Sequence, residues 1–266
     1  MSVKIKKVPV NSTEMEYFSF GKGEKPLVIL PGLSIKSIML YKDILPDALS
    51  VFGEDFKVYV FDRIKDLPDE YSVDAMARDT ITAFEAAGLK DISLYGISQG
   101  GMIALSIAIL RPDLVSSMVL GSTASRIKPS TAEIVSEWNR FAGLEDEENL
   151  IYSFGQKVYS DAFFEQFKDA ILSSVRGITS EEFKRLVIMT GNMGSFDVYD
   201  RLSDIKCPVF VMAGNEDEII PVESAKEMIE KLGCESYIFD GFGHAVYDET
   251  PEFKDKARDF FVRTVK

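Results

Sequence analysis

The chain has 266 residues, of which 46% are apolar and 27% are charged, as in an average globular protein. These values exclude a disordered or collagen-like chain and allow a full hydrophobic core, so at this length we expect one α/β domain that carries an insertion. Lys and Arg total 30 against 43 Asp and Glu, which gives a net charge of −13. This acidic balance argues against nucleic acid or an anionic membrane surface as the main partner and favours a small-molecule ligand.

Cysteine usage and the N-terminal residues indicate the compartment. Cys207 and Cys234 do not form a CxxC pair, so we expect no disulfide framework and no cysteine-rich zinc site, which is typical of a reducing compartment. The basic residues 1–7 are not followed by the apolar segment of a signal peptide, and the longest apolar stretch, 102–110, is too short to span a bilayer. We therefore predict a cytoplasmic protein.

The first predicted elements are an antiparallel pair of strands, Val3–Val10 and Glu14–Phe20, in which apolar and polar residues alternate. Six short apolar runs typical of strands buried on both faces follow: Leu27–Leu30, Val58–Phe61, Ile92–Tyr95, Met118–Leu120, Pro208–Met212 and Tyr237–Phe239. Segments with helical periodicity lie between several of them: Val73–Ala87, Gln99–Leu110, Val222–Leu232 and Pro251–Val265. Strands that alternate with helices predict an α/β fold with a mostly parallel central sheet flanked by helices.

The interval 124–206 is an exception to this alternation. It contains no strand pattern but three helical patterns, Ser130–Phe141, Asp161–Ser173 and Ser180–Met189, and a structureless loop of that length is not expected in a compact domain. We interpret residues 124–206 as a helical cap inserted into a core formed by residues 1–123 and 207–266. The acidic run at 145–148 is interpreted as a solvated helix start.

The clearest chemical signal is the pentapeptide Gly96-Ile97-Ser98-Gln99-Gly100, which matches G-x-S-x-G between a predicted buried strand and a predicted helix. A sharp strand-to-helix turn needs glycine because its backbone is crowded, and it raises the serine hydroxyl above the sheet. A glycine-rich turn that merely closes a βα unit also explains the pentapeptide alone. The surrounding elements favour Ser98 as a nucleophile.

A serine hydroxyl needs a base beside it, and the only histidine is His244, in a glycine-flanked loop after the last predicted strand. Because the carboxyl ends of parallel strands meet at one edge of a sheet, we expect His244 near Ser98. A lone histidine is often structural, but this loop position favours catalysis. Asp217, just beyond another predicted strand, is the best candidate for the carboxylate that orients the imidazole. Glu216 and Glu218 compete for this role and are interpreted as solvated.

With these residues the chain resembles the α/β-hydrolase superfamily, in particular small capped esterases and lactonases of the 3-oxoadipate enol-lactonase and proline-iminopeptidase type. The matching segments run almost from end to end: residues 30–33, 62–63, 96–102, 214–221, 243–246 and 251–253. The resemblance implies a catalytic triad of Ser98, Asp217 and His244, and an oxyanion hole formed by the backbone N–H groups of Leu33 and Gln99. It implies no cofactor, and a single histidine without a clustered ligand motif implies no metal.

Two segments depart from the family pattern. The early loop, which usually reads His-Gly, has Pro31-Gly32 here; only a backbone donor is needed from Leu33, so we expect catalysis to survive. The usual Asp-x-Arg-Gly-x-Gly-x-Ser stretch is replaced by residues 62–67, which keep Asp62 and Arg63 but lose the glycines and the serine. The shape of that loop is therefore not predicted.

The leading prediction is a serine hydrolase that cleaves a small, largely apolar carboxylic ester, or a lactone or thioester, through an acyl-enzyme. An apolar roof over the serine is expected from the aromatic and Met residues of the predicted cap: Trp138, Phe141, Phe154, Phe163, Phe164, Phe167, Met189, Met193 and Phe196. One alternative is a carbon–carbon bond hydrolase or lyase, with Arg126, Arg140, Arg176 and Arg185 as candidates to bind a substrate carboxylate. The other is a non-catalytic ligand receptor.

Overall fold

The computed structural model describes residues 3–264, in which eight strands form one sheet with the order β1-β2-β4-β3-β5-β6-β7-β8. The strands are β1 (Lys6–Val10), β2 (Thr13–Phe20), β3 (Lys25–Leu30), β4 (Phe56–Ile64), β5 (Ile92–Ile97), β6 (Val115–Gly121), β7 (Val209–Gly214) and β8 (Glu235–Phe239). The helices are α1 (Leu45–Ala48), α2 (Val73–Ala86), α3 (Gln99–Leu110), α4 (Pro129–Gly143), α5 (Glu147–Val158), α6 (Asp161–Val175), α7 (Ser180–Gly191), α8 (Val222–Leu232), α9 (Val246–Glu249) and α10 (Pro251–Thr264). Short 3-10 turns occur at Ile38–Tyr41, Ser50–Phe52, Met193–Ser195 and Tyr199–Asp204.

The sheet is mostly parallel, which confirms the prediction. β1 pairs with β2 and β2 with β4 in antiparallel fashion, whereas the pairs from β4 through β3, β5, β6 and β7 to β8 are all parallel. The first strand begins at Lys6 and not at Val3, so the prediction of a strand from Val3 was wrong at that end. The final helix is described to Thr264, and the predicted end at Val265 lies outside the described residues.

Helices cover both faces of the sheet, which explains the uninterrupted apolar runs. All six residues of β5 are buried, and neighbouring side chains belong to different layers: Leu94 is in the core cluster that includes residues of α2 and α3, and Tyr95 packs against Phe253 of α10. A strand buried on both faces has no polar side to show in its sequence. None of the helices within residues 3–264 is long and apolar enough to cross a membrane.

Four helices, α4 to α7, lie between β6 and β7, and we call them the inserted helices. Three coincide with the predicted helical patterns. The fourth, α5, starts directly after Asp146, whose side chain accepts a hydrogen bond from the backbone N–H of Asn149. Glu147 and Glu148 occupy its first turn, where carboxylates interact favourably with the helix dipole. The acidic run is therefore a helix start, as predicted.

Gly100, in the first turn of α3, lies close to the end of β3. A Cβ atom at Gly100 would lie 2.0 Å from the carbonyl oxygen of Leu30 and 2.5 Å from that of Pro31. Because backbone atoms have little freedom to yield, α3 would have to shift. We expect Gly100→Ala to lower the free energy of unfolding by about 3 kcal/mol, measured by urea denaturation.

Gly143→Ala is the matched control for this substitution. Gly143 ends α4, and a Cβ atom there would meet no atom within 4 Å. We expect this variant to keep or slightly increase stability, by less than about 1 kcal/mol, because alanine has the higher helix propensity. Equal losses in the two variants would show that close packing at Gly100 is not the cause.

Candidate active site

Ser98 lies on the tight turn between β5 and α3. Its backbone has φ 52° and ψ −123°, a conformation that non-glycine residues rarely adopt and that costs on the order of 1–3 kcal/mol. The end of β6 holds the turn in place: the Ser98 N–H donates to the Gly121 carbonyl at 2.9 Å, and the Thr123 hydroxyl donates to the Ser98 carbonyl at 2.6 Å. The strained turn presents the half-buried Ser98 side chain to a cavity above the sheet.

His244 and Asp217 form a buried hydrogen-bonded pair. His244 Nδ1 lies 2.7 Å from Asp217 Oδ2, and the two residues are 3% and 6% exposed. The other carboxylate oxygen, Oδ1, accepts the backbone N–H groups of Ile219 and Ile220 at 2.9 and 2.8 Å. These bonds hold the carboxylate against the imidazole, and they require it to act as an acceptor. Asp217 is the predicted partner of His244, and the structure brings the two side chains together.

The loops that carry Asp217 and His244 run side by side. The Glu216 N–H donates to the Phe242 carbonyl at 2.9 Å, and the Gly241 N–H donates to the side-chain oxygen of Asn215 at 2.8 Å. The Glu216 side chain is exposed. The competing carboxylate of Glu218 is also exposed and forms an ion pair with Lys157.

The loop after β3 approaches Ser98 closely. A Cβ atom on Gly32 would lie 3.1 Å from the Ser98 Cβ, which is a tight contact, and 3.7 Å from its Oγ, which is ordinary van der Waals contact. The next residue, Leu33, lines the same cavity as Ser98. Gln99 begins α3, and its side chain is fully buried. The structure thus places the two predicted oxyanion-hole residues on segments that adjoin Ser98.

A small cavity of about 50 Å³ lies between Ser98, Leu33 and His244. Its wall consists of Gly32, Leu33, Ser98, Val135, Trp138, Phe154, Val158, Met193, Ile219, Ile220, His244 and Tyr247. Most of these side chains are apolar, and burial raises the pKa of Tyr247 well above its ordinary value, so this phenol is neutral. The cavity therefore suits an uncharged group of a few heavy atoms.

Three of the nine predicted side chains form the roof of this cavity: Trp138 and Phe154 of the inserted helices, and Met193 of the short turn that follows α7. Phe164 and Met189 of the inserted helices are buried in their packing, and Phe141 is partly buried there; Phe196, which follows the turn after α7, is also buried. Phe163 stacks on Tyr159 at a centroid distance of 5.2 Å and contacts Phe167, which is 40% exposed. Helical periodicity alone did not separate the side chains that line the cavity from those that pack between helices or lie on the surface.

None of the four candidate arginines lines the cavity wall. Arg126 forms an ion pair with Glu227, and Arg185 forms one with Asp62 at 2.7 Å. Arg140 is exposed and stacks on the ring of Phe141, and Arg176 is exposed. No Lys or Arg contributes to this wall in residues 3–264.

Sequence reasoning missed two side chains at this site. Tyr247 lies in the cavity wall, three residues after His244, but a tyrosine in that position carries no motif. The second is Arg63, which is 5% exposed and donates to the Pro31 carbonyl at 2.9 Å and to the Gln99 side-chain oxygen at 3.1 Å. The match of Asp62-Arg63 to the family pattern is the one sequence signal that could have indicated a role for Arg63 at this site.

Comparison with known proteins places these observations in a family. Residues 25–251 match the family model described as alpha/beta hydrolase fold. A putative carbamate hydrolase RutD from Pseudomonas savastanoi pv. phaseolicola is 26% identical over 217 residues, 75% of this chain and 80% of that protein. The 2-hydroxy-6-oxo-6-(2'-aminophenyl)hexa-2,4-dienoic acid hydrolase of Metapseudomonas resinovorans is 23% identical and covers 92% of this chain and 86% of its own length. The structure of a thermophilic esterase from Thermogutta terrifontis has a TM-score of 0.83 at 20% identity, covering 99% of this chain and 100% of the esterase.

Proposed function

Because the chain belongs to the α/β-hydrolase fold family, we propose that it is a serine hydrolase that cleaves a small, largely apolar carboxylic ester, lactone or thioester through an acyl-enzyme. The observation that carries this proposal is that His244, which is hydrogen-bonded to the buried Asp217, lines one small cavity together with Ser98. This arrangement supplies a nucleophile, a base and a group that orients the base.

In the proposed mechanism, the Ser98 hydroxyl attacks the ester carbonyl carbon while Nε2 of His244 accepts its proton. Asp217 holds Nδ1–H and offsets the positive charge that develops on the ring. The backbone N–H groups of Leu33 and Gln99 donate to the oxyanion of the tetrahedral intermediate, and His244 then protonates the leaving alcohol. Water, activated by the same imidazole, releases the acid and restores Ser98.

The cavity supports a short acyl group. A volume of about 50 Å³ accommodates roughly three to five water-sized groups, which corresponds to an acetyl to butyryl chain. The apolar roof of Trp138, Phe154 and Met193 favours an uncharged chain.

The cavity and its lining do not favour the two alternatives, a carbon–carbon bond hydrolase or lyase and a non-catalytic receptor. A substrate with a carboxylate near the scissile bond needs a cation beside it, and the described cavity wall contains no Lys or Arg. A receptor has no need of a strained serine turn beside a buried imidazole–carboxylate pair. We therefore propose ester hydrolysis, with a small molecule as the binding partner.

An acyl-chain series tests the proposal and its size limit. With p-nitrophenyl esters from acetate to octanoate, we expect kcat/KM to peak at acetate or butyrate. Phe154→Leu, which shortens a roof side chain, is expected to raise the ratio of hexanoate to butyrate kcat/KM about tenfold, since a methylene group in an apolar pocket is worth roughly 1–3 kcal/mol. The control is Phe167→Leu, because Phe167 lies on the outer face of the inserted helices. Failure of every ester to react would contradict the proposed function, and a flat chain-length profile would contradict the size limit.

A further inference from the structure

A buried cation lies behind the two segments that carry the proposed oxyanion donors. Arg63 is at the end of β4, beside β3, which in turn lies beside β5. One of its nitrogens, Nη2, donates both to the Pro31 carbonyl at 2.9 Å and to the Gln99 side-chain oxygen at 3.1 Å. Pro31 is two residues before Leu33, so one guanidinium group connects both donor segments.

The chemistry of the partners fixes the orientation of the Gln99 amide. A guanidinium group only donates, so the atom that faces Arg63 is the carbonyl oxygen of Gln99. The NH₂ group therefore points the other way, where it donates to the Met189 carbonyl at 3.1 Å. Met189 belongs to α7, one of the inserted helices. A continuous chain of hydrogen bonds thus runs from the loop after β3, through Arg63 and Gln99, to α7 of the inserted helices.

Burying the charged side chain of Arg63 costs folding free energy. Burial lowers the pKa of its guanidinium to about 10, so the group is still charged at neutral pH. Its Nε has no hydrogen-bond partner among the described residues, and its neighbouring carboxylate, Asp62, is shared with Arg185 and Ser37. A buried charge with an unsatisfied donor destabilises a fold compared with a packed apolar side chain. Its position between the donor segments suggests a role that compensates for this cost.

We infer that Arg63 is a positioning residue for the oxyanion hole, which acts through the Pro31 carbonyl and the Gln99 side chain to hold the backbone N–H groups of Leu33 and Gln99 in place. The inference rests on the proposed function. Through the Gln99–Met189 bond it also connects the alignment of the donors to the seating of the inserted helices.

The test measures the rate at which a fluorophosphonate probe labels Ser98, because this reaction uses the nucleophile and the oxyanion hole but not the natural substrate. We expect Arg63→Met to slow labelling at least about tenfold, less than the hundredfold or more typical of deleting a donor outright. Arg63→Lys, which retains a buried cation and a donor, should recover part of the rate. Gln99→Met removes the partner and leaves its backbone N–H; the double variant should be no slower than the slower single one, because both act through the same contact.

Two further readouts separate positioning from a structural role. For ester hydrolysis, kcat should fall while KM changes less than about threefold, and inhibition by an uncharged trifluoromethyl ketone, which forms a tetrahedral adduct, should weaken in parallel with kcat/KM. The matched control is Arg185→Met, which removes the ion pair between α7 and Asp62 but no hydrogen bond to Pro31 or Gln99. Its labelling rate should remain near that of the wild type.

The outcomes are distinct. Labelling of a folded Arg63→Met variant at the wild-type rate would overturn the inference, as would an equal loss in Arg185→Met. If Arg63→Met does not fold, the labelling rate of Gln99→Met replaces it: a wild-type rate in that variant would overturn the inference. A wild type that is labelled at Ser98 but hydrolyses no ester would overturn the proposed function alone. The labelling rates of the variants would still test whether Arg63 positions the oxyanion-hole donors. A wild type that takes no label would overturn both.

Discussion

Ser98→Ala is expected to reduce kcat/KM for p-nitrophenyl acetate about 10⁶-fold and to abolish fluorophosphonate labelling. Among the described residues of the cavity wall, Ser98 and Tyr247 alone carry a hydroxyl, and the alanine variant keeps only the buried phenol of Tyr247 beside His244. Loss of the nucleophile in a serine hydrolase costs on the order of 10⁶ in rate, because the remaining groups cannot form an acyl-enzyme. The measurement compares steady-state hydrolysis of the two proteins, with mass spectrometry to locate the label in the wild type.

The control for this prediction is a second serine at the same edge of the sheet. Ser122 follows β6, is 1% exposed, and has a hydroxyl without a hydrogen-bond partner among the described residues. It is not part of the cavity wall. Ser122→Ala should keep activity within about threefold and should still be labelled at Ser98, since no catalytic contact is removed. A label on any residue other than Ser98 would contradict the assignment of the nucleophile.

Asp217→Asn is expected to lower kcat about 10⁴-fold with little change in the fold. The asparagine side-chain oxygen can still accept the N–H groups of Ile219 and Ile220, which Asp217 Oδ1 accepts at 2.9 and 2.8 Å. Its NH₂ group then faces His244 Nδ1 and forces that nitrogen to accept. The ring proton moves to Nε2, and the imidazole can no longer take the proton from Ser98.

Glu218→Gln provides the comparison for Asp217→Asn. Glu218 is one residue away, but its side chain is 63% exposed and forms an ion pair with Lys157. The substitution removes the same charge from the same loop, so it controls for the change in net charge. We expect activity within about twofold of the wild type, because exposed ion pairs contribute little. Similar losses in both variants would mean that charge, and not the tautomer of His244, explains the effect.

The sheet and the proposed triad were predictable because their signals are local. β5 reads as an apolar run since both of its faces are covered, and the glycines around Ser98 mark a turn whose backbone is crowded. His244 and Asp217 follow strands of one parallel sheet, and this topology requires their loops to meet at one edge. Composition, periodicity and a short motif therefore determined the fold class and the three side chains of the proposed mechanism.

The tertiary structure alone decided which distant residues complete the site. Arg63 reaches Gln99 because β3 lies between β4 and β5, and Gln99 reaches Met189, which is 90 residues further along the chain, because α7 packs over the turn. Helical periodicity marks an apolar face but does not identify the surface that this face covers, so only the packed chain separates Trp138, Phe154 and Met193 from the other roof candidates. The volume of the cavity, and with it the expected acyl length, depends on how side chains from separate elements fill one space, which no local pattern records.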